Sequence, residues 1–444
     1  MTEHLDRTIG LAGTVSTLIG YVIGASIFIL PGELAASSGP AIGLSYLLAA
    51  VPAAFCCFVS AQIGSVFPVS GANYVAVSRV ISPFAGFLMV WVLMAALIVG
   101  VPLVAFGFAD YVAYFLPGLP RTGVAVAAVV FFVLVNVRGA RLSVWSQSVM
   151  VVGFVLALLV FGVGGLPYVQ AEHFVPLFPR GIMPVVGAAI PAYFSYIGFL
   201  VIVEIGEEIE QPSRTIPLAL AISLGCVLIF YGLVSIVLPG IIPWEALGET
   251  DAPVATAAAT FLPPSVAGLI SLGALLAAAT TLNGILLGQS RDLFALARDR
   301  ILPEVFGRLH PRFHSPYVAV GVLGLLSLGG VAIGASITEY ATLAVLGFMT
   351  FQMFSGVGVY LLPARAPERF DRAPFRLAPF WRVFVGLGLV VLSALFVVLA
   401  GLQNTRAVLV FALYIGAGVG YYRWRRRHLA GQGFDLESAL RQDA

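Results

Sequence analysis

The chain has 444 residues, of which 60% are hydrophobic and only 10% are charged. Its mean hydropathy of +1.02 excludes an ordinary soluble domain and indicates an integral membrane protein whose main surroundings are the lipid bilayer. The net charge of +2 comes from arginines spread along the chain, so we expect no basic surface for nucleic acid.

Apolar stretches long enough to cross about 30 Å of hydrocarbon recur along the whole chain and predict an all-α protein with about twelve transmembrane helices. The first seven predicted spans lie at residues 9–31, 40–67, 84–116, 122–138, 143–166, 183–206 and 215–240. The last five lie at residues 266–297, 317–335, 338–363, 381–401 and 405–422. We expect Asp110 and Glu339, which lie near the ends of two of these spans, to be solvated edge charges.

Arginine positions give the orientation, because all 23 basic residues are Arg and the sequence contains no Lys. If both ends of the chain lie on the same side of the membrane, only Arg121, Arg180 and Arg406 fall in loops on the opposite side. The positive-inside rule then predicts a multi-pass protein of the cell membrane with both termini in the cytoplasm.

Motifs of enzymes and metal sites are missing from the sequence. We find no phosphate-binding Gly-Lys-Ser/Thr motif, no His-Glu-x-x-His motif and no metal-ligand spacing of Cys or His. No nucleophile and base pair lies within the predicted spans. We therefore expect neither an enzyme nor a bound metal or cofactor.

The first predicted span is interrupted at its middle by the small residues Gly24, Ala25 and Ser26. Backbone groups freed in hydrocarbon need a partner, so a helix break at this depth indicates a binding site. Close packing against another helix is the alternative interpretation, because membrane helices also meet through small residues.

The sixth predicted span carries a similar interruption at residues 190–199, with Pro191, Gly198 and several aromatic residues. A simple kink at Pro191 is the alternative. Two interrupted helices five spans apart are typical of an inverted-repeat secondary transporter, with its site between the half-helices.

At these residues the chain resembles the amino acid–polyamine–organocation superfamily of amino acid permeases. The most specific segment follows the sixth span, where an acidic pair, Glu207 and Glu208, precedes Pro212, Arg214 and an Ile-Pro step. Other segments that resemble the family lie at residues 7–10, 23–32, 67–74, 82–87, 281–284, 290–291, 297–299, 302–303, 310–316 and 374–376.

The resemblance implies a fold of two inverted repeats of five helices each, with broken helices 1 and 6. We expect the first repeat at residues 1–166 and the second at 167–363, followed by two peripheral helices at 364–422 and a cytoplasmic tail at 423–444. Helices 1, 2, 6 and 7 would move against a scaffold of helices 3, 4, 8 and 9, with helices 5 and 10 as gates.

An amino acid substrate needs hydrogen-bond donors for its carboxylate and acceptors for its ammonium group. The amides of Gly24, Ala25 and Ser26 lie at the positive end of a half-helix, where the family binds the carboxylate. Carbonyl groups released near Ile23 and near Ser195 are expected to accept from the ammonium group.

Three residues of the sixth span are expected to form the substrate's side-chain pocket. Phe194 corresponds to the bulky aromatic residue that covers the substrate in the family, and Tyr196 and Ile197 give the pocket an apolar wall. Asn283 in the eighth span either reaches the site or only joins helices through hydrogen bonds.

The sequence leaves two candidates for the coupling ion, a proton and sodium. Thr280 and Thr281 could place hydroxyl oxygens beside helix 1 carbonyls around Na⁺, or could bond only to their own helix. Glu204 is the candidate proton carrier, since a carboxyl group withdrawn from water holds its proton more readily. Its alternative is an interfacial residue at the cytoplasmic edge, grouped with Glu207, Glu208 and Glu210.

These observations predict a secondary active transporter of amino acids or related amines, with a preference for proton coupling. Sodium symport and amino acid exchange or export are the alternatives within that class. A channel is the alternative from another class, and it would require a continuous polar stripe along the spans. The sequence carries no signal for an oligomeric state.

Overall fold

Helices form nearly all of the regular structure in the computed structural model, which describes residues 7, 9–69, 71–138, 141–313 and 315–437. Within these ranges the one exception is a parallel bridge between Ile9 and Ile209. The first part of the chain contains α1 (Leu11–Val22), α2 (Ser26–Ser38), α3 (Ile42–Val66), α4 (Ala72–Val80), α5 (Pro83–Phe115), α6 (Arg121–Val137) and α7 (Arg141–Gly165).

The second part begins with α8 (Met183–Tyr193), which runs directly into a 3₁₀ segment (Phe194–Glu204). It continues with α9 (Pro212–Ile241), α10 (Trp244–Leu247), α11 (Pro253–Phe261), α12 (Pro264–Arg298), α13 (Tyr317–Ile333) and α14 (Ile337–Arg365). The last helices are α15 (Pro367–Arg372), α16 (Pro379–Gln403) and α17 (Thr405–Gly431).

Ten helical stretches in these ranges are long and apolar enough to cross a membrane. The all-helical, multi-span prediction is therefore confirmed. Two further predicted spans correspond to α6 and α13, which are apolar but have only 17 residues each. The helices satisfy their backbone groups internally, as hydrocarbon requires.

Helix starts follow local sequence signals. Pro83 stands in the first turn of α5, where its missing N–H costs nothing, and the Ser82 hydroxyl accepts a hydrogen bond from the Ala85 amide. Ser336 and Glu339 form a reciprocal capping box at the start of α14. Glu339 is exposed there, as expected for an edge charge.

Asp110 does not behave as the solvated edge charge that its position near the end of a span suggests. Its side chain is buried, and the Arg121 guanidinium donates from Nε and a terminal nitrogen to its two oxygens, over 2.5 and 2.7 Å. Such a two-point ion pair satisfies a buried carboxylate. The expectation was wrong because it ignored the basic residue that starts the next helix.

The last helix is longer than predicted, since α17 continues to Gly431 instead of ending at residue 422. Arginine is a good helix former, so the basic stretch after Tyr422 prolongs the helix. The end of α17 docks on the loop after α12, where Tyr421 donates to the Ile301 carbonyl and Arg425, within the extension, donates to the Arg300 carbonyl.

The first and sixth spans form the centre of the bundle. In the most apolar 18-residue stretch of each span, 72% of the residues are buried in the first span and 88% in the sixth. Only 17% are buried in the corresponding stretch of α17. α1 packs against α9, α7 and the 3₁₀ segment, and α5, α12 and α14 close the other side. The two interrupted spans are thus mostly buried within the bundle.

Candidate functional site

The helix break predicted at residues 24–26 lies between α1 and α2. The Ile23 amide still donates to the Ile19 carbonyl over 3.0 Å, and Gly24 then takes a positive φ of 34°. The Phe28 amide donates to the Ala25 carbonyl over 3.0 Å and closes the first turn of α2. The amides of Ser26 and Ile27 form the free N-terminal end of α2, which attracts anions.

Thr281 of α12 holds this break in place. Its hydroxyl oxygen accepts a hydrogen bond from the Ala25 amide over 3.1 Å and donates to the Ala277 carbonyl over 3.0 Å. A β-carbon on Gly24 would overlap that same hydroxyl oxygen. Residue 24 therefore has to be glycine for two reasons, its backbone conformation and the contact with α12.

The sixth span differs from the prediction in how it is interrupted. α8 ends at Tyr193 and continues without a gap into the 3₁₀ segment of 11 residues. Such segments seldom exceed four residues, and a long one is typical of a strained or functional position. A β-carbon on Gly198 would collide with the backbone of Tyr21 and Val22, so this glycine lets the two interrupted spans touch.

Tyr231 of α9 joins the two interrupted spans. Its phenol oxygen lies 2.9 Å from the Val22 carbonyl oxygen and 2.6 Å from the Ser195 carbonyl oxygen, and its one hydrogen is shared between them. The sequence analysis missed this residue. Its signal was a single tyrosine within an apolar span, since a buried phenol needs a hydrogen-bond partner.

A partly open cavity lies between the interrupted spans and α5, α12 and α14. Its wall is mostly apolar, and its polar groups are the helix break at one end and carboxyl groups at the other. The lining residues are Tyr21, Val22, Ile23, Gly24, Ala25, Ser26, Leu93, Leu97, Phe194, Ile197, Gly198, Leu200, Glu204, Thr281, Gly284, Ile285, Gly288, Gln289, Asp292, Phe348 and Phe351.

The structure brings most of the predicted site residues together around this cavity. They are Ile23, Gly24, Ala25, Ser26, Phe194, Ile197, Glu204 and Thr281. Phe194 is 7% exposed, and its ring lies beside Gly100 of α5, where no side chain separates it from the backbone. The cavity therefore places free amides, an aromatic side chain and an apolar wall within one space.

Four predicted site residues lie beside the cavity and do not line it in the described part of the chain. Ser195 offers its carbonyl to Tyr231, and Tyr196 donates to the Tyr46 carbonyl over 3.1 Å. Asn283 accepts a hydrogen bond from Asn136 of α6 over 3.0 Å. Thr280 donates to the carbonyl of Ala277 in its own helix over 2.7 Å and lies 3.4 Å from the Gly20 carbonyl.

Glu204 is buried inside the bundle, with 6% of its surface exposed, and lines the far end of the cavity. Asn73 of α4 donates to its Oε1 over 2.6 Å. The neighbouring acidic pair has another environment, because Glu208 forms an ion pair with Arg291 over 3.6 Å. Glu204 thus stands apart from the loop charges with which the sequence groups it.

The sequence analysis did not identify two further polar residues at this end of the cavity, Gln289 and Asp292 of α12. Both are buried and line the cavity. The signal was present, because residues 281, 284, 285, 288, 289 and 292 recur at helical spacing along one face. The predicted span 266–297 contains both residues, but only Thr280, Thr281 and Asn283 were considered as candidates in it.

Comparison with known proteins agrees with this geometry. The family model for amino acid permeases matches residues 9–419. The methylthioribose transporter of Bacillus subtilis is 30% identical over 85% of both chains, and the branched-chain amino acid permease of that organism is 29% identical over 96% of this chain and 94% of its own. An uncharacterised transporter of Mycobacterium tuberculosis is 31% identical over 96% and 92%. The chain therefore belongs to the amino acid permease family and is a multi-span membrane transporter.

Proposed function

We propose that this protein is a secondary active transporter that moves amino acids or related amines across the cell membrane by alternating access. The observation that carries the proposal is the mostly apolar cavity between the interrupted spans, which has the free N-terminal end of α2 in its wall. A helix N-terminus attracts a carboxylate, and an apolar wall accepts a side chain without charge.

The proposed position of the substrate follows from the groups in this wall. The carboxylate accepts hydrogen bonds from the amides of the break at Gly24 and Ser26, while the Ala25 amide stays with Thr281. The ammonium group donates to backbone carbonyls near Ile23. The side chain lies against Phe194 and Ile197, which makes a small apolar amino acid the first substrate to test.

The proposed architecture has twelve spans, in which α6 and α13 cross the membrane despite their shorter length. Residues 1–166 and 167–363 form the two inverted repeats, residues 364–422 form the peripheral helices, and residues 423–444 form the tail. Both termini lie in the cytoplasm, on the side where most of the arginines lie. Closing and opening the cavity would move the two interrupted spans against α5 and α12.

Proton coupling through Glu204 is the proposed driving mechanism. Glu204 lines the cavity and lies in an interrupted span, where movement can change its access to water. Thr280 and Thr281 both donate to the Ala277 carbonyl of their own helix, which supports a packing role rather than a sodium site. Sodium symport and exchange remain outcomes of the test below.

Uptake by the purified protein in liposomes tests the proposal. We expect saturable, stereoselective uptake of one or more amino acids from a panel, driven by an imposed pH gradient and unchanged when sodium is replaced. Uptake driven only by sodium would favour symport of that ion, and uptake only against preloaded substrate would favour exchange. Single-channel currents without saturation would contradict a transporter and favour a channel.

A further inference from the structure

The end of the cavity farthest from the helix break contains an unusual group of buried polar side chains. Glu204, Gln289 and Asp292 are only 6%, 3% and 4% exposed, and all three line the cavity. Asp292 follows Thr281 by eleven residues on α12, which corresponds to about 16 Å along the helix. This group is therefore separate from the proposed carboxylate position at the break.

The Glu204 carboxyl group has an oxygen atom without a partner in the part of the chain that the structure describes. Glu204 Oε1 accepts from Asn73, but Glu204 Oε2 has no hydrogen-bond donor. Buried polar atoms usually find partners, so an acceptor left free in a residue that lines the cavity indicates a ligand with a hydrogen-bond donor.

The charges of the cavity are unbalanced. Its lining contains two carboxyl groups and, among the residues described, no Arg or His. The neighbouring Arg291 donates to the Leu287 carbonyl and pairs with Glu208, and it forms no direct ion pair with Glu204 or Asp292 among the residues described. Carboxylates withdrawn from water require a cation or a donor nearby, so the cavity favours a positively charged ligand at this end.

We propose that Glu204 and Asp292 form a second binding subsite, which receives the ammonium group of an organic amine on its way between the helix break and the cytoplasm. An ammonium group has three N–H donors. The subsite offers them the free Glu204 Oε2 and the Asp292 carboxyl group as acceptors. A hard inorganic cation prefers six or more oxygen ligands, which these two side chains do not supply.

The position of the subsite supports an organic ligand. It shares one cavity with the helix break, so cargo that crosses the cavity passes it, and Leu200 and Ile285 offer apolar contacts for the carbon chain. The inference deepens the proposed transport and rests on it for the nature of the cargo. Binding of an ammonium group at Asp292 is nevertheless measurable without any transport.

The test uses the full chain in lipid nanodiscs and n-butylammonium as the probe, because this ion has an ammonium group and no carboxylate. Isothermal titration calorimetry should detect saturable binding to the wild-type protein, with sodium chloride of equal ionic strength as the reference. Asp292→Asn should weaken binding about tenfold or more, since it removes a charged acceptor. Asp292→Glu should restore part of it.

The matched control is Asp371→Asn, which removes the same charge from an exposed residue of α15 and should leave binding unchanged. Glu204→Gln is the second variant in case Asp292→Asn does not fold, as judged by size-exclusion chromatography. Sodium butyrate has a carboxylate and no ammonium group, so it should not compete with butylammonium for this subsite. The absence of competition by butyrate would separate this subsite from the proposed carboxylate position at the helix break.

Three results would overturn the subsite. Wild-type affinity in both Asp292→Asn and Glu204→Gln would place the ammonium group elsewhere. Competition by butyrate would assign it to the helix break. Equal affinity for sodium and butylammonium would show an inorganic cation site. Failure of amino acid uptake with intact, Asp292-dependent binding would count against the proposed transport only.

Discussion

The hydroxyl oxygen of Thr281 occupies the space in which a β-carbon of residue 24 would lie, so Thr281 and Gly24 fit together only because Gly24 has no side chain. The same hydroxyl group holds the Ala25 amide of the break. This contact joins α12 to the middle of the first span. It fixes the position of the amides that we propose as the carboxylate site.

Gly24→Ala should reduce amino acid uptake to background while the protein still inserts and folds. The added methyl group meets Thr281 and also disfavours the positive φ of residue 24, so the free amides move. Initial uptake rates in liposomes check this, with Gly225→Ala as the control because a β-carbon there meets no atom within 4 Å. Uptake of wild-type strength in Gly24→Ala would remove the substrate from this break.

Phe194→Ala should slow uptake about tenfold or more with a smaller effect on stability, because the ring covers the proposed substrate position. The side chain already borders the cavity, so its removal enlarges existing space rather than opening a new void in a packed core. Uptake kinetics and thermal unfolding measure the two effects. Phe131→Ala, at a residue 60% exposed on α6, is the control. Unchanged kinetics in Phe194→Ala would assign this ring to packing.

Tyr231→Phe should destabilise the protein by about 1–3 kcal/mol, since it removes the hydrogen bond shared by the Val22 and Ser195 carbonyls and leaves them buried. Thermal unfolding in detergent detects the loss. Tyr360→Phe removes the same hydroxyl group from a residue that is 44% exposed and should have little effect. Equal unfolding temperatures for Tyr231→Phe and wild type would mean that the phenol does not hold the two spans together.

Local sequence was sufficient to locate the first break and most of the spans. Gly24, Ala25 and Ser26 interrupt an apolar run, and that interruption does not depend on any distant residue. The length of α17 was underestimated, because a hydropathy pattern ends where the arginines begin although the helix continues. The 3₁₀ segment was also not predicted from the sequence, since hydrophobic periodicity does not distinguish a 3₁₀ helix from an α-helix over a stretch that is buried on all faces.

The partners of the site residues depend on tertiary packing and were not predictable from sequence. Ala25 and Thr281 are separated by 256 positions, and Glu204 and Asn73 by 131. Tyr231 and Asp292 lie in spans whose other residues are mostly apolar, and only the folded chain shows that one bridges two carbonyls and the other lines the cavity. A single sequence gives the candidates, whereas the packing of helices selects among them.

The driving ion is the subject of the last prediction, which compares Glu204→Gln with Thr281→Ala. Glutamine keeps the size of the side chain and its contact with Asn73 but does not carry a proton. Glu204→Gln should therefore separate uptake from the pH gradient while exchange of external for internal substrate continues. Removal of sodium should change neither activity.

Measurements of pH-driven uptake and of counterflow in the same liposomes separate these two activities. Glu368→Gln is the control for Glu204→Gln, because it makes the same change at an exposed residue of α15. Thr281→Ala should lower binding by loosening the Ala25 amide without creating or abolishing a dependence on sodium. Strict sodium dependence that disappears in Thr281→Ala would contradict proton coupling and place the coupling ion beside the first helix break.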